Sequence, residues 1–285
     1  MRREGRTQAF ELQDFQGWEA CAVTAKKKAK GEYSIQTVIN ALRVLDAFRH
    51  AEDFGVTELS RELALHKNNV FRLLATLENH GYVEQTADER YRLGLRALEL
   101  GQAFLRGRQL VRRARPVMEQ LAAEVRESVH LATLREYEVV FLDGVEADRL
   151  VKAGTREGQR LPVHCTAAGK VLMSLAPQPL RENFERSIAR QGLSLHTERT
   201  IVDTTKLFDH LRAVASEGFA MDFEECEEGL VCAAAPVFGP TGEVLAALSI
   251  SGPAYRLGEE RMHREIAPHL TGAAGRLSRE LGFAA

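Results

Sequence analysis

The stretch VTELSRELALHKNNVFRLLATLENHGYV, residues 56–83, decides the fold of the first part of this chain. Thr57 is a residue type that caps helices, and a short helix is predicted from there through Leu63. A second helix is predicted to end at Gly81, and its apolar residues recur at helical spacing: Val70, Leu73, Leu74 and Leu77. The pattern therefore indicates a pair of short helices that meet at a tight corner.

One more helix is predicted before this pair, and a β-hairpin after it. Residues 35–48, IQTVINALRVLDAF, form an amphipathic pattern whose apolar members are predicted to face inward: Ile35, Val38, Ile39, Leu42, Leu45 and Phe48. The runs YVEQ at 82–85 and YRLG at 91–94 are predicted strands, joined by the charged turn TADER at 86–90. The helices and the hairpin together make one compact domain, predicted for residues 31–94.

The outward face of the second helix of the pair carries residue types that bind DNA. Once the apolar side chains are turned inward, the polar ones left outside are Lys67, Asn68, Asn69, Arg72 and Thr76. The major groove admits an α-helix, on which Asn can pair with adenine and Arg with guanine, while Lys and Thr hold phosphates. Arg90 and Arg92 in the hairpin are predicted to rest on the adjacent DNA backbone as a wing. A helical bundle with polar outer faces is the alternative at this point.

Composition limits the class of protein. Of 285 residues, 45% are hydrophobic and 27% charged, as in ordinary globular chains, so wholesale disorder and fibrous repeats are excluded. The 38 Lys and Arg against 40 Asp and Glu give a net charge of −2, which excludes a histone-like polycation and makes any nucleic-acid site a local one. No run approaches the roughly 18 apolar residues of a membrane span, and residues 1–15 lack the apolar core of a signal peptide. We therefore expect a cytoplasmic protein without a membrane partner.

The cysteines are irregularly spaced and are expected to be free thiols in that compartment: Cys21, Cys165, Cys226 and Cys232. Cys226 and Cys232 have no second pair of ligands nearby in the sequence, which is poor support for a zinc site. His164 and Cys165 are adjacent, and on an extended segment their side chains would point in opposite directions, which disfavours a thiolate and base pair. We therefore predict no catalytic residues, no bound metal and no cofactor.

The rest of the chain divides into an extension, a linker and a second domain. Residues 1–30 show neither a helical nor a strand period and are expected to be a flexible N-terminal extension. Residues 95–110 are predicted as a linker helix and residues 111–285 as the second domain. Alternating patterns there indicate strands at 129–136, 138–146, 148–154, 230–239 and 243–252. Helical patterns between and after them predict an α+β domain with a mostly antiparallel sheet; they lie at 167–175, 180–190, 204–216 and 258–281.

A small-molecule site is predicted where the second domain combines small residues with hydroxyls. Thr166 can cap the helix that begins AAGKVLM, and Ala167 and Ala168 are small enough to let a ligand reach the first-turn N–H groups, which attract anions. Strand alternation places small or hydroxyl-bearing residues on shared faces of the sheet: Cys232, Ala234, Ser249 and Ser251. Such faces suggest a cavity with a few hydrogen-bonding groups. The alternative is a helix packed closely on small residues.

Charged residues near this site are interpreted as solvent-facing. Lys170 lies on the same helix and is expected to point to water, with neutralisation of a bound anion as the alternative. A solvated turn, or else a charged subunit contact, is expected for the acidic run of Glu224, Glu225, Glu227 and Glu228. None of these side chains is predicted to belong to a core.

Two blocks of the sequence resemble the IclR family of bacterial transcription regulators. The first is similar to the family's winged helix-turn-helix and comprises ALRVLDAF at 41–48, ELSRELALHKNNVFRLLATLENHGYVE at 58–84 and YRLGLRALELG at 91–101. The second is similar to its effector-binding domain and comprises LPVHCTAAGKVLMS at 161–174 and EGFAMDFEECEEGLVCAAAPVFGPTGEVLAALSISGP at 217–253. The resemblance runs from about Ser34 to the C-terminus. It implies an N-terminal winged helix-turn-helix domain joined by a linker helix to a C-terminal GAF-like α+β effector-binding domain.

The resemblance also implies ligand-responsive control of transcription. The positions that match the family's effector pocket are Leu150, Ala153, Leu161, Ala167, Ala168, Asp222, Cys232, Ser249 and Ser251. Family effectors are mostly small carboxylic or aromatic acids, so the helix amides would hold a carboxylate, the serines would donate hydrogen bonds, and Asp222 would accept one. Double-stranded operator DNA and a homodimer or dimer of dimers are the implied partners. Ala64 stands where the family usually has a corner glycine, and strain is expected there.

Other classes of protein also fit parts of the pattern. A thiol-dependent enzyme or thiol redox sensor would use Cys165 or Cys232 and keep the N-terminal domain for assembly. A structural nucleoid protein would bind DNA regardless of sequence and metabolite. Whether a ligand-responsive regulator represses or activates depends on where its operator lies relative to the promoter.

Overall fold

The computed structural model describes residues 34–49, 51–106 and 109–284. The predicted extension at 1–30, with its Cys21, and part of the predicted linker lie outside the described residues. The chain divides between Leu93 and Gly94 into two compact units, called here the N-terminal unit and the C-terminal unit. Among the described residues, no helix has the length and apolar character needed to cross a membrane.

In its described residues, the N-terminal unit combines three helices with a three-stranded antiparallel sheet. In chain order its elements are α1 (Gln36–Ala47), β1 (Asp53–Phe54), α2 (Val56–Glu62), α3 (Lys67–Asn79), β2 (Val83–Gln85) and β3 (Tyr91–Leu93). Strand β3 lies in the middle of the sheet, where Tyr91 is opposite Phe54 of β1 and Leu93 is opposite Val83 of β2. The predicted helix-turn-helix with a hairpin is confirmed, and β1 is a strand that the sequence analysis missed.

Helix α3 packs on α1 and α2 because its apolar residues fall on one side. Val70 and Leu74 are fully buried and Leu73 nearly so, in one cluster with Leu59 of α2 and Val44 of α1. Burying an aliphatic side chain of this size contributes about 1.5 to 3 kcal/mol. The predicted inward face of α3 is therefore confirmed.

Helix α1 differs from its predicted orientation. Ala41, Val44 and Leu45 belong to the core of the unit, but part of the predicted inward face is exposed: Ile35, Val38, Ile39 and Leu42. The core-facing residues of α1 therefore begin at Ala41, more than one turn later than the periodicity indicated. The core-facing side of the helix is also rotated away from the predicted side. An exposed apolar stripe of this kind is typical of a protein–protein contact.

The corner between α2 and α3 contains a residue in the left-handed region. Ala64 has a φ of +52°, at which the Cβ atom approaches the following carbonyl oxygen. Hydrogen bonds on both sides hold the corner, from Leu65 N–H to Ser60 O at 3.0 Å and from Arg43 Nη2 to Leu63 O at 2.8 Å. The strain expected at this corner is therefore present and costs about 1 kcal/mol.

The C-terminal unit is an α+β fold built on one six-stranded antiparallel sheet. Its strands, which lie in the spatial order β6-β5-β4-β9-β8-β7, are β4 (Ser128–Arg135), β5 (Glu138–Val145), β6 (Arg160–Pro162), β7 (Ala220–Phe223), β8 (Leu230–Phe238) and β9 (Val244–Pro253). Its helices are α4 (Leu95–Arg106), α5 (Gln109–Val125), α6 (Ala167–Ser174), α7 (Gln178–Gln191), α8 (Thr204–Glu217), α9 (Glu259–Arg261) and α10 (Ala267–Glu280), with a π-helical turn at Met262–Ile266. The predicted fold class is confirmed.

The two faces of this sheet are covered differently because side chains alternate along each strand. Leu248 and Ile250 of β9 lie on the face that packs on α5 and α10. Ala247 of the same strand lies on the opposite face, which packs on α6. The same alternation turns Ser249 and Ser251 toward the α6 side, where they line a cleft.

Residues 148–154 do not form the strand that their alternation predicts. Leu161 and Arg160 of β6 pair with Val139 and Val140 of β5, so β6 occupies the sheet edge at which that segment would have to pair. The chain from 146 to 159 is irregular instead. Strands β6 and β7 were missed because runs of three and four residues are too short to show alternation.

Candidate functional site

The outward face of α3 carries the predicted DNA-contacting residues in exposed positions, namely Lys67, Asn68, Asn69, Arg72 and Thr76. Asn68, Arg72 and Thr76 are spaced by four residues and so share one side of the helix. Thr76 Oγ1 donates to Arg72 O at 2.8 Å, which leaves its lone pairs free as acceptors. The N-cap residue of the helix is His66, whose Nδ1 accepts a hydrogen bond from Asn68 N–H at 3.3 Å. The geometry therefore presents one continuous polar row to solvent.

Phe71 lies beside this row and is more than half exposed. Phe71 and Lys67 are four residues apart and form a second exposed row next to the first. Sequence reasoning passed over Phe71 because the apolar residues of this helix were assigned to the core. An exposed apolar ring on such a helix can contact the methyl group of thymine.

Arg90, predicted to contact the DNA backbone, forms ion pairs within the N-terminal unit. Its Nε lies 2.7 Å from Asp53 Oδ1, and its Nη2 lies 2.9 Å from Glu58 Oε2. Glu58 also accepts a hydrogen bond from Gly55 N–H at 3.0 Å, at the start of α2. That hydrogen bond, followed by the Arg90 guanidinium, holds the pKa of Glu58 below its usual value. Arg90 therefore ties the hairpin to α2, and a DNA phosphate would have to compete with two carboxylates for it.

Arg92 is placed differently from Arg90. It lies in β3 opposite Glu84 of β2, and its Nε is 2.6 Å from Glu84 Oε1. Both side chains are about half exposed, and exposed ion pairs of this kind are worth only about 0 to 1 kcal/mol. A DNA phosphate could therefore replace Glu84 as the partner of Arg92.

A cleft in the C-terminal unit brings together most of the predicted effector-binding residues. A water-sized sphere can occupy about 30 Å³ of this cleft, which is partly open to solvent. The predicted residues that line it are Leu161, Ala167, Ala168, Asp222, Cys232, Ser249 and Ser251. Lining residues that were not predicted are Phe141, Arg156, Thr166, Cys226 and Leu230. Strand alternation and the small first turn of α6 were the signals that located the first group.

Two predicted effector-binding residues do not line the cleft. Leu150 is fully exposed, and Ala153 directs its carbonyl oxygen to Ser128 Oγ at 2.6 Å. Both lie in the irregular segment 146–159 and not in a strand of the sheet, so alternation does not turn them inward. The prediction that Leu150 and Ala153 line the effector site is therefore wrong for this cleft. Arg156 is the residue of that segment that lines it.

Helix α6 presents its start to the cleft. Thr166 Oγ1 accepts a hydrogen bond from Gly169 N–H at 3.2 Å and donates one to Pro162 O at 2.9 Å, which fixes the helix cap. First-turn N–H groups have no acceptor within their own helix, and Ala167 and Ala168 of this first turn both line the cleft. This end of α6 therefore offers hydrogen-bond donors and a partial positive charge to an anion.

Asp222 is the carboxyl group of the cleft, and it is buried. Burial raises its pKa to about 7, although the hydrogen bond from Glu225 N–H, at 2.7 Å, and the charge of Lys170 act in the opposite direction. Much of the Asp222 population is therefore protonated at neutral pH. The protonated form adds no negative charge to the cleft and can donate a hydrogen bond. The resemblance to the family implied only that Asp222 accepts one.

Arg156 supplies the positive charge of the cleft. About three quarters of its side chain is buried, and it pairs at 3.0 Å with Glu227, whose side chain is mostly exposed. Because solvent screens Glu227, an anion inside the cleft can compete for the guanidinium. No periodic pattern in the sequence marked this residue, since it belongs to the irregular segment.

His130 of β4 is a further residue that sequence reasoning missed. It lies opposite Ser249 in the sheet, on the same face, and it is almost fully buried. Neither of its ring nitrogens has a hydrogen-bond partner among the described residues. Its ring meets Phe141 edge-on, with the centroids 5.7 Å apart. Burial lowers the pKa of His130 to about 4, so the ring is neutral at pH 7.

Lys170 is fully buried, contrary to its prediction. All residues of α6 are buried, so this helix has no solvent face for a lysine. The Nζ atom donates to Met221 O at 3.0 Å and forms an ion pair with Glu225. Glu225 is buried too, unlike the rest of the predicted solvated turn, and burial raises its pKa although Lys170 opposes the shift. This ion pair joins α6 to the turn that follows β7.

Two thiols near the cleft, Cys165 and Cys232, do not favour thiolate chemistry, whereas the hydrogen bond with Cys165 lowers the pKa of Cys226. Burial raises the pKa of Cys232, whose Sγ accepts a hydrogen bond from Ser251 Oγ at 3.2 Å. A hydrogen bond to Cys226, together with burial, raises the pKa of Cys165. Catalytic and redox-sensing cysteines need a lowered pKa and access to solvent. This environment argues against an enzyme or sensor built on Cys165 or Cys232.

Family models match both parts of the chain. The one described as "IclR helix-turn-helix domain" covers residues 37–87, and the one described as "Bacterial transcriptional regulator IclR C-terminal" covers residues 102–279. The chain belongs to the IclR family of bacterial transcription regulators. As an IclR-family member it is a transcription regulator with an N-terminal helix-turn-helix and a C-terminal ligand-binding domain, which confirms the predicted family and class of function.

Relatives of known name support the same assignment over nearly the whole chain. The HTH-type transcriptional regulator KdgR of Escherichia coli (strain K12) is 35% identical over 251 residues, which are 88% of this chain and 94% of KdgR. An IclR-type transcriptional regulator from Alicyclobacillus acidocaldarius has a crystal structure that covers 88% of this chain and 100% of its own, with a TM-score of 0.77 at 26% identity. An IclR homologue from Microbacterium hydrocarbonoxydans, crystallised with 4-hydroxybenzoate, covers 86% of this chain and 98% of its own, with a TM-score of 0.72 at 27% identity.

Proposed function

We propose that this regulator responds to a small organic acid bound in the cleft of its C-terminal unit. The observation that carries the proposal is that Arg156 and the first turn of α6 line the same cleft, in which Asp222 is partly protonated near pH 7. Positive charge from two sources, with little negative charge opposing it, favours a carboxylate. The Microbacterium relative, which holds 4-hydroxybenzoate, supports an organic acid as the class of ligand.

The other lining residues suit an acid that carries a second polar group. Phe141, Leu161 and Leu230 offer apolar area to a ring or a short chain. Ser249 and Ser251 offer hydroxyl groups on the sheet side of the cleft. An aromatic hydroxy acid is therefore an effector of suitable chemistry, with its carboxylate at Arg156.

Isothermal titration calorimetry with 4-hydroxybenzoate and a set of small aliphatic acids tests this proposal. Arg156→Gln removes the charge and keeps a polar side chain. Because a hydrogen bond to a charged group is worth about 1.5 to 3 kcal/mol, the affinity for the best-bound acid is expected to fall by at least about tenfold. Arg160→Gln, at a half-exposed arginine of the adjacent β6, is the matched control and is expected to bind normally. Absence of binding by every acid, or equal affinity in the Arg156 variant, contradicts the proposal.

We further propose that α3 enters the major groove of operator DNA. Asn69 and Arg72 are exposed on it and have the chemistry to read adenine and guanine edges. Lys67 and Thr76 flank them and can hold phosphates. Arg92 on the hairpin is available to contact the adjacent DNA backbone as a wing, since its carboxylate partner Glu84 is half exposed.

Arg72→Ala is expected to weaken operator binding by about 1 to 3 kcal/mol, a factor of about 5 to 150. The fold is expected to remain intact, because the Arg72 side chain is exposed. Fluorescence anisotropy at fixed salt measures the effect, with the DNA upstream of the protein's own coding sequence as a first operator candidate. Arg212→Ala, at an exposed arginine of α8, changes the net charge equally and is expected to bind as the wild type does. Unchanged affinity in the Arg72 variant would remove this face from the DNA contact.

The same proposal includes a homodimer or dimer of dimers that acts on DNA in the cytoplasm. A single helix-turn-helix makes few DNA contacts, and paired copies read half-sites about one helical turn apart. Apolar surface suited to self-association is exposed on α1 at Ile35, Val38, Ile39 and Leu42. In the C-terminal unit, α4 likewise exposes Leu95, Leu98 and Leu100. Burying such stripes between copies would remove apolar area from water.

A further inference from the structure

Metal-binding side chains meet at a place that does not line the cleft, although the sequence analysis predicted no metal. The ligand atoms of His164, Cys165 and His196 all lie within 4.8 Å of one another. No second cluster of this kind occurs in the described part of the chain. The expectation that His164 and Cys165 point in opposite directions is wrong, because residues 163–166 form a turn and not an extended segment.

His164 is already oriented as a metal ligand. The side chain is buried, and its Nε2 lies 2.9 Å from Ser194 O. In the tautomer that donates this hydrogen bond, Nδ1 carries a free lone pair. Metal-bound histidines usually donate their second ring N–H to a carbonyl or a carboxylate in this way.

His196 comes from the loop between α7 and α8, and its side chain is exposed. The backbone of this loop is held in place, since His196 N–H donates to Thr200 Oγ1 at 3.1 Å and that hydroxyl donates to Glu225 O at 2.7 Å. Ser194 Oγ lies 2.9 Å from His196 Nε2, which leaves Nδ1 as the available ligand atom. The His196 and His164 ring centroids are 5.8 Å apart. Rotation of the exposed His196 side chain can therefore turn its ring toward a cation that His164 also binds.

We propose that His164, Cys165 and His196 form a binding site for Zn²⁺ or a similar transition-metal cation. A thiolate and imidazoles suit Zn²⁺, whereas Mg²⁺ and Ca²⁺ prefer oxygen ligands. Cys165 is a protonated thiol without metal, and a coordinating cation displaces the thiol proton, which is released to solvent. Zinc sites with three protein ligands leave the fourth position to water or to another small ligand. His196 is the exposed member of the set, so that open position faces solvent.

The spacing requires only a small closure of the site. Zn–N bonds of about 2.0 Å and Zn–S bonds of about 2.3 Å place tetrahedral ligand atoms about 3.3 to 3.6 Å apart. The ligand atoms lie within 4.8 Å of one another, which exceeds that separation by at most about 1.2 to 1.5 Å. The exposed His196 side chain can supply the movement, while His164 and Cys165 are held by the surrounding core.

The site adjoins the start of α6, whose first turn lines the effector cleft. Cys165 directly precedes Thr166, the N-cap residue of that helix. The Lys170 ammonium acts electrostatically on His164, but it forms an ion pair with Glu225. It therefore adds no unpaired positive charge beside the metal. A bound cation would clamp the cap of α6 to the loop of His196 and thereby stiffen one wall of the cleft.

A Co²⁺ titration of the full-length, tag-free protein under a phosphine reductant tests this proposal, because thiolate bound to tetrahedral cobalt gives intense near-ultraviolet and visible absorption. We expect these bands in the wild type, and their loss when Zn²⁺ is added but not when Mg²⁺ is added. Cys165→Ser is expected to abolish the near-ultraviolet band. His196→Asn changes an exposed side chain, which spares the fold, and is expected to weaken cobalt binding by at least about tenfold.

Matched controls are Cys232→Ser and His269→Asn, which remove a thiol and an exposed imidazole elsewhere in the same unit. Both are expected to keep the wild-type bands and cobalt affinity. The proposal is overturned if the wild type shows no thiolate-to-cobalt band, or if His196→Asn binds cobalt as tightly as the wild type. It is equally overturned if Cys232→Ser loses the band while Cys165→Ser retains it. None of these readouts depends on the effector, so they stand apart from the test of the organic-acid proposal.

Discussion

Lys170→Met is expected to lower the free energy of unfolding of the C-terminal unit by about 3 to 5 kcal/mol. The lysine is fully buried, and its ammonium group serves both the Glu225 carboxylate and the carbonyl oxygen of Met221. Without it, the carboxylate is left in the core with no counter-charge, and the carbonyl loses its donor. Methionine has a similar length and fills most of the space, so the loss is electrostatic and does not come from a cavity.

Differential scanning calorimetry at pH 8 measures this effect, since alkaline pH opposes the protonation of Glu225 that burial favours. For a unit of this size the transition temperature is expected to fall by about 10 °C. Lys206→Met, at an exposed position of α8, is the control and is expected to change stability by no more than about 0.5 kcal/mol. A loss below about 1 kcal/mol in the Lys170 variant would contradict the burial of an ion pair at this site.

The double variant Lys170→Met with Glu225→Leu separates the pairing of the charges from their burial. Replacing both members of a buried ion pair with apolar residues is often neutral, because the desolvation penalty disappears with the attraction. The double variant is therefore expected to be more stable than the sum of the two single changes predicts. Simple additivity would mean that the two side chains do not interact.

Lowering the pH from 6.5 to 4 is expected to remove about 3 kcal/mol of stability through His130 alone. The unfolded chain takes up a proton on this histidine below pH 6.5, whereas burial keeps the folded-state pKa at about 4. The unfolded state therefore binds more protons in this window, and stability falls as the pH falls. Above pH 6.5 the ring is neutral in both states, and the contribution does not vary.

The difference in unfolding free energy between the wild type and His130→Leu isolates this contribution. A direct reading of the wild type is not enough, because Asp222 acts in the opposite sense. Its pKa is raised from 3.8 to about 7, so its folded form binds more protons in that window and gains stability as the pH falls. Urea unfolding followed by circular dichroism at pH 4, 5, 6 and 7 gives the difference, with His269→Leu as an exposed control. A gap that stays constant over this range would mean that His130 is not desolvated.

Prediction from the sequence worked best where the decisive interactions are local. The orientation of α3 follows from the spacing of Val70, Leu73 and Leu74, which meet the core wherever the helix is placed. The cap at Thr166 depends on residues within one turn of it. Alternation along β8 and β9 predicts the faces on which Cys232 and Ser251 lie, and both residues line the cleft.

Prediction failed where a side chain's partner lies far away in the sequence. Arg90 has the type and position of a wing residue, but its carboxylate partners are 37 and 32 residues away. Lys170 meets Glu225 across 55 residues, and no local pattern reports that all of α6 is covered. The segment with Leu150 alternates as a strand would, yet β6 already occupies the edge where it would pair.

The amino-acid sequence by itself determined most of the longer helices and strands, the core-facing side of α3, and the two faces of β8 and β9, because periodicity and capping depend on neighbours along the chain. Only the tertiary structure decided that Lys170 is buried, that Arg156 lines the cleft while Leu150 does not, and that His164 and Cys165 meet His196. Those outcomes depend on which distant segments exclude water from a side chain and which charges end up beside it. Desolvation and pairing arise only when the chain is folded, so the sequence pattern carries no local record of them.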